Sequence, residues 1–125
     1  MSKTILIVED YKDTRVMIKV LLEDLGYNVL EAEDGWAAVE SVKRQVPDLI
    51  LMDMALPSTD GLRATKIIRQ FEETSKVPII AFTASGEFIY KQAMEAGCND
   101  LLLKPVDIDK LQSVVEQYLR NQPAK

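Results

Sequence analysis

Five short apolar runs, Thr4–Val8, Asn28–Ala32, Leu49–Met52, Pro78–Phe82 and Leu101–Leu103, recur along the chain with a helix-length segment after each. Most are continuous rather than alternating, the pattern of strands covered on both faces of a parallel sheet. The segments between them carry helical spacing. Met17, Val20, Leu21 and Leu25 make one stripe, with Gly26 placed as a C-terminal cap. Trp36, Val39, Val42 and Val46 make a second, stopped by Pro47. Leu62, Ile67, Ile68 and Phe71 make a third, and Ile89, Ala93 and Ala96 a fourth, closed by Gly97. The fifth runs through Ile108, Leu111, Val115, Tyr118 and Leu119, with Asp107 as its N-cap. The order βαβαβαβαβα predicts an α/β fold, a doubly wound parallel sheet with helices on both faces. Burial is expected for Trp36 and for Cys98.

A chain of 125 residues with 47% hydrophobic and 28% charged residues has the makings of one globular domain. Its net charge of -5, from 15 basic and 20 acidic residues, disfavours direct nucleic-acid binding, since an acidic surface repels a phosphate backbone. A single cysteine and no histidine exclude an internal disulfide and a Cys/His metal site. Apolar runs of four residues are too short to span a membrane, and no signal-like segment opens the chain, so a cytoplasmic location is expected.

Ligands of open α/β sheets bind beyond the carboxyl ends of the strands. The first strand ends there in Glu9 and Asp10, the third in Asp53, the fourth in Thr83 and the fifth in Lys104. Glu33 and Asp34 follow the second, to one side. Any one of these alone reads as a cap or a solvated side chain. Together they converge three carboxylates, whose mutual repulsion a cation relieves. Oxygen donors without His or Cys suit Mg²⁺. A carboxylate can also act as a nucleophile and form an acyl phosphate. Mg²⁺, an ammonium and a hydroxyl are the groups that hold the added charge.

Glu9-Asp10 after the strand ILIV, the segment DLILMDMALPSTDG carrying Asp53, Thr83-Ala84 and Lys104-Pro105 together resemble the receiver domain of two-component response regulators. The resemblance spans residues 3 to about 121 of a single domain, 1–125, with 122–125 a loose tail. It implies the flavodoxin-like receiver fold with strand order 2-1-3-4-5. It also implies Asp53 as the phosphoacceptor, receiving its phosphoryl group from a histidine kinase or a histidine phosphotransfer protein. Asp10 and Asp53 would hold Mg²⁺ through side chains, Ala55 through its backbone carbonyl, and Glu9 mostly through metal-bound water. Thr83 and Lys104 would bind the phosphoryl oxygens, and the Lys104–Pro105 bond would be cis. Pro57 and Gly61 would shape the loop after the acceptor, Gly61 with a positive φ. Ala55 and Ser85 would flank the attacking water. Leu101 stands where many receivers carry a switch aromatic, and reads as a core-facing leucine. The early residues of the first helix, Asp13, Thr14 and Arg15, would be exposed for kinase docking.

The resulting expectation is a phosphorylation-operated switch acting through protein partners, catalysing only its own phosphorylation and dephosphorylation rather than serving as an enzyme with an external substrate. Met1 and the short tail favour a stand-alone chain over a receiver cut from a hybrid kinase or larger regulator. A degenerate receiver carries less weight, because every core residue is in place. A flavin carrier of the same fold is rejected, since Glu9-Asp10-Tyr11-Lys12-Asp13 would repel the flavin phosphate.

Overall fold

The computed structural model describes residues 2–54, 60–84 and 86–120. Five strands, β1 (Thr4–Val8), β2 (Asn28–Ala32), β3 (Leu49–Asp53), β4 (Ile79–Thr83) and β5 (Asp100–Leu103), form one parallel sheet of order β2-β1-β3-β4-β5. Five helices alternate with them: α1 (Lys12–Asp24), α2 (Gly35–Arg44), α3 (Asp60–Gln70), α4 (Gly86–Ala96) and α5 (Ile108–Arg120). A short 3-10 turn, Glu72–Thr74, follows α3. Among the described residues no helix is long and apolar enough to cross a membrane.

All five residues of β1, β3 and β4 are buried. Successive side chains of a strand point to opposite faces, so each central strand feeds two cores. Leu6, Val8, Ile50, Met52, Ile79 and Ala81 pack with Val39 and Val42 of α2, Ile68 of α3 and Ala93 of α4. Ile5, Ile7, Leu49, Leu51, Ile80 and Phe82 pack with Ile18 and Leu22 of α1 and with Leu111, Val115 and Leu119 of α5. The continuous apolar runs follow from this double coverage.

The helix ends obey local chemistry. Asp34 caps α2, its Oδ1 accepting from the Ala37 amide at 2.8 Å. Asp107 Oδ1 accepts from the amides of Asp109 and Lys110, as expected of an N-cap. Gly26 follows α1 and Gly97 follows α4, both at positive φ. Space as well as φ excludes a side chain at Gly97, because a Cβ would meet Arg69 Cγ at 2.7 Å. That arginine donates to the carbonyls of Gly97 and Thr74 and to Asn99 Oδ1, tying α3 to the connection entering β5.

Four apolar expectations are corrected. The buried residues of α1 are Ile18 and Leu22, whereas Met17 and Val20 are about half exposed. The helix carries apolar side chains on two faces, and of these Ile18 and Leu22, one turn apart, are the pair buried against the sheet. Trp36 is 57% exposed rather than buried. It shares its side of α2 with exposed Glu40, one turn on, while Ala38 and Val42 take the sheet side. Val46, beyond the end of α2, and Ile108, in the first turn of α5, are likewise exposed.

Cys98 is buried as expected, and burial pushes its thiol pKa up to about 11. The thiolate, the reactive form, is thereby disfavoured. Native protein should therefore react with a thiol-selective reagent orders of magnitude more slowly than free cysteine, and fully once unfolded. Rapid stoichiometric labelling of native protein would contradict this burial.

Candidate phosphoacceptor and cation site

The parallel register delivers the site. Val8 pairs with Ala32 on one side and Met52 on the other, Asp53 lies opposite Phe82, and Thr83 lies opposite Leu103. Glu9, Asp10, Asp53, Thr83 and Lys104 thus gather at one edge of the sheet. Backbone bonds extend that order past the strands: Glu9 N–H donates to Ala32 O, Met54 N–H to Phe82 O and Lys104 N–H to Thr83 O, at 3.0, 2.9 and 2.9 Å.

Glu9 and Asp53 are each 1% exposed, while Asp10 is open to solvent. One carboxylate oxygen from each of the three lies within 4.8 Å of the others. Lys104 Nζ bridges the two buried acids, 3.1 Å from Glu9 Oε1 and 3.0 Å from Asp53 Oδ2. It also stands 5.1 Å above the Phe82 ring. The second Glu9 oxygen, Oε2, accepts from the Tyr11 amide at 3.0 Å. Thr83 is buried beside them on β4.

Burial alone would lower the Lys104 pKa, but its hydrogen bonds to Asp53 and Glu9, together with their charges, outweigh that and raise it. The Asp10 carboxyl is held above its ordinary value by its hydrogen bond with Glu9, then by burial and by the Glu9 charge. Three carboxylates against one ammonium leave an excess of negative charge in the cluster. The donor set is all oxygen and hard. It fits Mg²⁺, which needs one or two carboxylates and keeps several waters.

Of the expected site residues, the structure brings together Glu9, Asp10, Asp53 and Lys104, with Thr83 at the adjacent strand end. Ala55, Pro57 and Ser85 lie outside the described residues. The Lys104–Pro105 bond is cis. Leu101 is half-buried against the core on the α2–α3–α4 side. Gly61 is corrected: it is the second residue of α3, and its φ is not positive. Its requirement is steric, because a Cβ there would collide with the Asp53 carbonyl oxygen and press on Met54 Cε at 3.2 Å. Gly61→Ala should therefore cost about 2 kcal/mol, as overpacking does, read as a lowered thermal midpoint. An unchanged midpoint would show that the start of α3 yields freely.

Against known proteins, the family profile of the response regulator receiver domain matches residues 5–116. The chain belongs to the receiver family. It is 32% identical over 123 residues to the polar-differentiation response regulator DivK of Brucella ovis, covering 95% of this chain and 98% of DivK. It is 41% identical over 120 residues to the phosphate regulon transcriptional regulatory protein PhoB of Pseudomonas aeruginosa, covering 95% of this chain but 52% of PhoB. With a histidine kinase of Formosa agariphila it shares 35% identity over 121 residues, 9% of that protein's length. Among solved structures, the receiver domain of a Pseudomonas aeruginosa sensor histidine kinase superposes with a TM-score of 0.90 at 39% identity, over 97% of this chain and 100% of that one. That receiver was solved with a magnesium ion coordinated in its active site cleft. This receiver domain is accordingly a phosphorylation-activated signalling switch.

Sequence reasoning missed two parts of the site. The Tyr11 amide that holds Glu9 leaves no signal in residue identity, since any backbone N–H serves. Arg15 reads from the sequence as an exposed docking residue, yet its side chain is only 13% exposed and donates from Nη1 to the Glu9 carbonyl at 3.0 Å.

Proposed function

We propose that Asp53 is the phosphoacceptor of this receiver and that Lys104, Thr83 and the acidic pair Glu9–Asp10 equip it for phosphoryl transfer. The observation that carries the reading is the placement of a buried Asp53 carboxylate 3.0 Å from a lysine ammonium, with two further carboxylates within 4.8 Å. A carboxylate oxygen of Asp53 attacks the phosphorus of a phosphohistidine. The new O–P bond forms as the N–P bond breaks, and its electron pair leaves with the imidazole. Asp10 and Asp53 would hold Mg²⁺ directly, with the Ala55 carbonyl, and Glu9 through water. Bound there, the ion neutralises charge on the phosphoryl oxygens. The phosphoryl group adds about two negative charges. Lys104 then exchanges a carboxylate partner for a phosphoryl oxygen, and Thr83 donates its hydroxyl to another.

The donor would be a histidine kinase or a histidine phosphotransfer protein, and the output an altered affinity for a protein partner. The domain would occupy residues 3 to about 121 and work in the cytoplasm. With Leu101 in place of an aromatic switch, a signal would reach the β5 edge through the backbone, where Lys104 N–H donates to the Thr83 carbonyl at 2.9 Å, or would not travel there at all.

The test is intact mass after incubation with acetyl phosphate, with and without Mg²⁺. A gain of one phosphoryl group that needs both Mg²⁺ and Asp53 is the expected result. A gain that survives Asp53→Asn would move the acceptor elsewhere.

A further inference from the structure

We propose that Arg15 is a positioning residue for the divalent cation, acting through the peptide that joins Glu9 to Asp10; this rests on the reading of the acidic cluster as a Mg²⁺ site. Arg15 lies in the first turn of α1, and its guanidinium is turned inward. Nη1 donates to the Glu9 carbonyl at 3.0 Å, while Nε donates to Glu31 Oε1 at 3.1 Å. Glu31, on β2, is held in turn by Lys19, whose Nζ lies 3.1 Å from Oε2. On the other side of Glu9, its amide donates to Ala32 O at 3.0 Å. Both peptide units flanking Glu9 are thereby fixed, one by the sheet and one by Arg15. The second of those units sets the direction in which Asp10 leaves the chain.

Charge and position make opposite predictions here. A guanidinium near three carboxylates opposes a second cation by simple Coulomb repulsion, so its removal would tighten Mg²⁺ binding. Glu31 offsets that charge and turns the arginine into a two-armed strut between β2 and the Glu9 carbonyl. Lysine, a single point donor, cannot hold both arms. Groups that orient metal ligands from behind change metal affinity about 10–100-fold when removed. The strut therefore predicts weakening, in the order Arg15→Ala, then Arg15→Lys, then Glu31→Gln.

The experiment is calorimetric titration of Mg²⁺ into wild type and these three variants without phosphodonor, with circular dichroism melts alongside. Arg15→Ala should bind Mg²⁺ about tenfold more weakly. Its labelling by acetyl phosphate should recover toward the wild-type rate as Mg²⁺ is raised. Unchanged or tighter Mg²⁺ binding in folded Arg15→Ala would overturn the proposal, as would a labelling defect that Mg²⁺ does not relieve. Should Arg15→Ala fail to fold, Arg15→Lys and Glu31→Gln carry the same comparison, and wild-type affinity in both would overturn it. Absence of Mg²⁺ binding by the wild type would overturn the site reading itself, and this inference with it.

Discussion

Alanine in place of Lys104 is expected to lower the stability of the metal-free protein by about 3 kcal/mol, since removing one partner of a buried ion pair leaves the other charge uncompensated. Lys104 serves two such partners. Glu9 and Asp53 are each 1% exposed, and its ammonium lies within 3.1 Å of both. Lys104 itself is about a quarter exposed, which places the loss at the lower end of the range for buried pairs. The thermal midpoint should fall by about 10 °C, and Mg²⁺ should restore more of that loss in the variant than it adds to the wild type. A cation arriving at the variant meets carboxylates that no ammonium already serves, so its apparent affinity should rise. Thermal melts with and without Mg²⁺ check both points. A variant as stable as wild type, or one that Mg²⁺ stabilises less, would remove Lys104 from the role assigned to it.

Asparagine in place of Asp53 should eliminate phosphoryl labelling outright while leaving the fold intact. The carboxamide has nearly the shape of the carboxylate but offers no anionic oxygen to attack phosphorus. Stability should change little, by about 1 kcal/mol, because two terms oppose: Lys104 loses one anchor but keeps Glu9, and Glu9 and Asp10 lose a like charge. The thermal midpoint should accordingly move by only a few degrees, about 4 °C per kcal/mol. Full labelling of the variant, or its collapse in the absence of phosphodonor, would show that Asp53 is a structural carboxylate.

The parts of this molecule legible in the sequence are those set by hydrophobic burial over a whole element. Strands such as Thr4–Val8 and Leu49–Asp53 are buried at every position, and the apolar run states that directly. Site residues were legible because strand ends carry them and topology alone brings strand ends together. What escaped depends on angles finer than a pattern of residue types. In α1, Met17 and Ile18 are equally apolar neighbours, and which of them meets the sheet turns on about 100° of helix rotation. Gly61 suggested a backbone need and instead marks a close approach, which becomes visible only when Asp53 O is seen beside it. Arg15 has the composition of a surface docking residue, and its inward turn is fixed by a carbonyl that residue identity cannot display.

The exposure of Trp36, the one tryptophan in the chain, makes it an optical reporter of a single place. Its indole is more than half exposed at the first turn of α2, so native emission should lie toward the red and be readily quenched by dissolved iodide or acrylamide. Unfolding then exposes only its covered minority, so emission would change less than that of a buried tryptophan. A protein that covered the start of α2 would shift the emission blue and shield it from quencher, whereas one seated on β5 and α5 would leave it dark to the event. One side chain's colour would thus tell which end of the sheet a partner chooses.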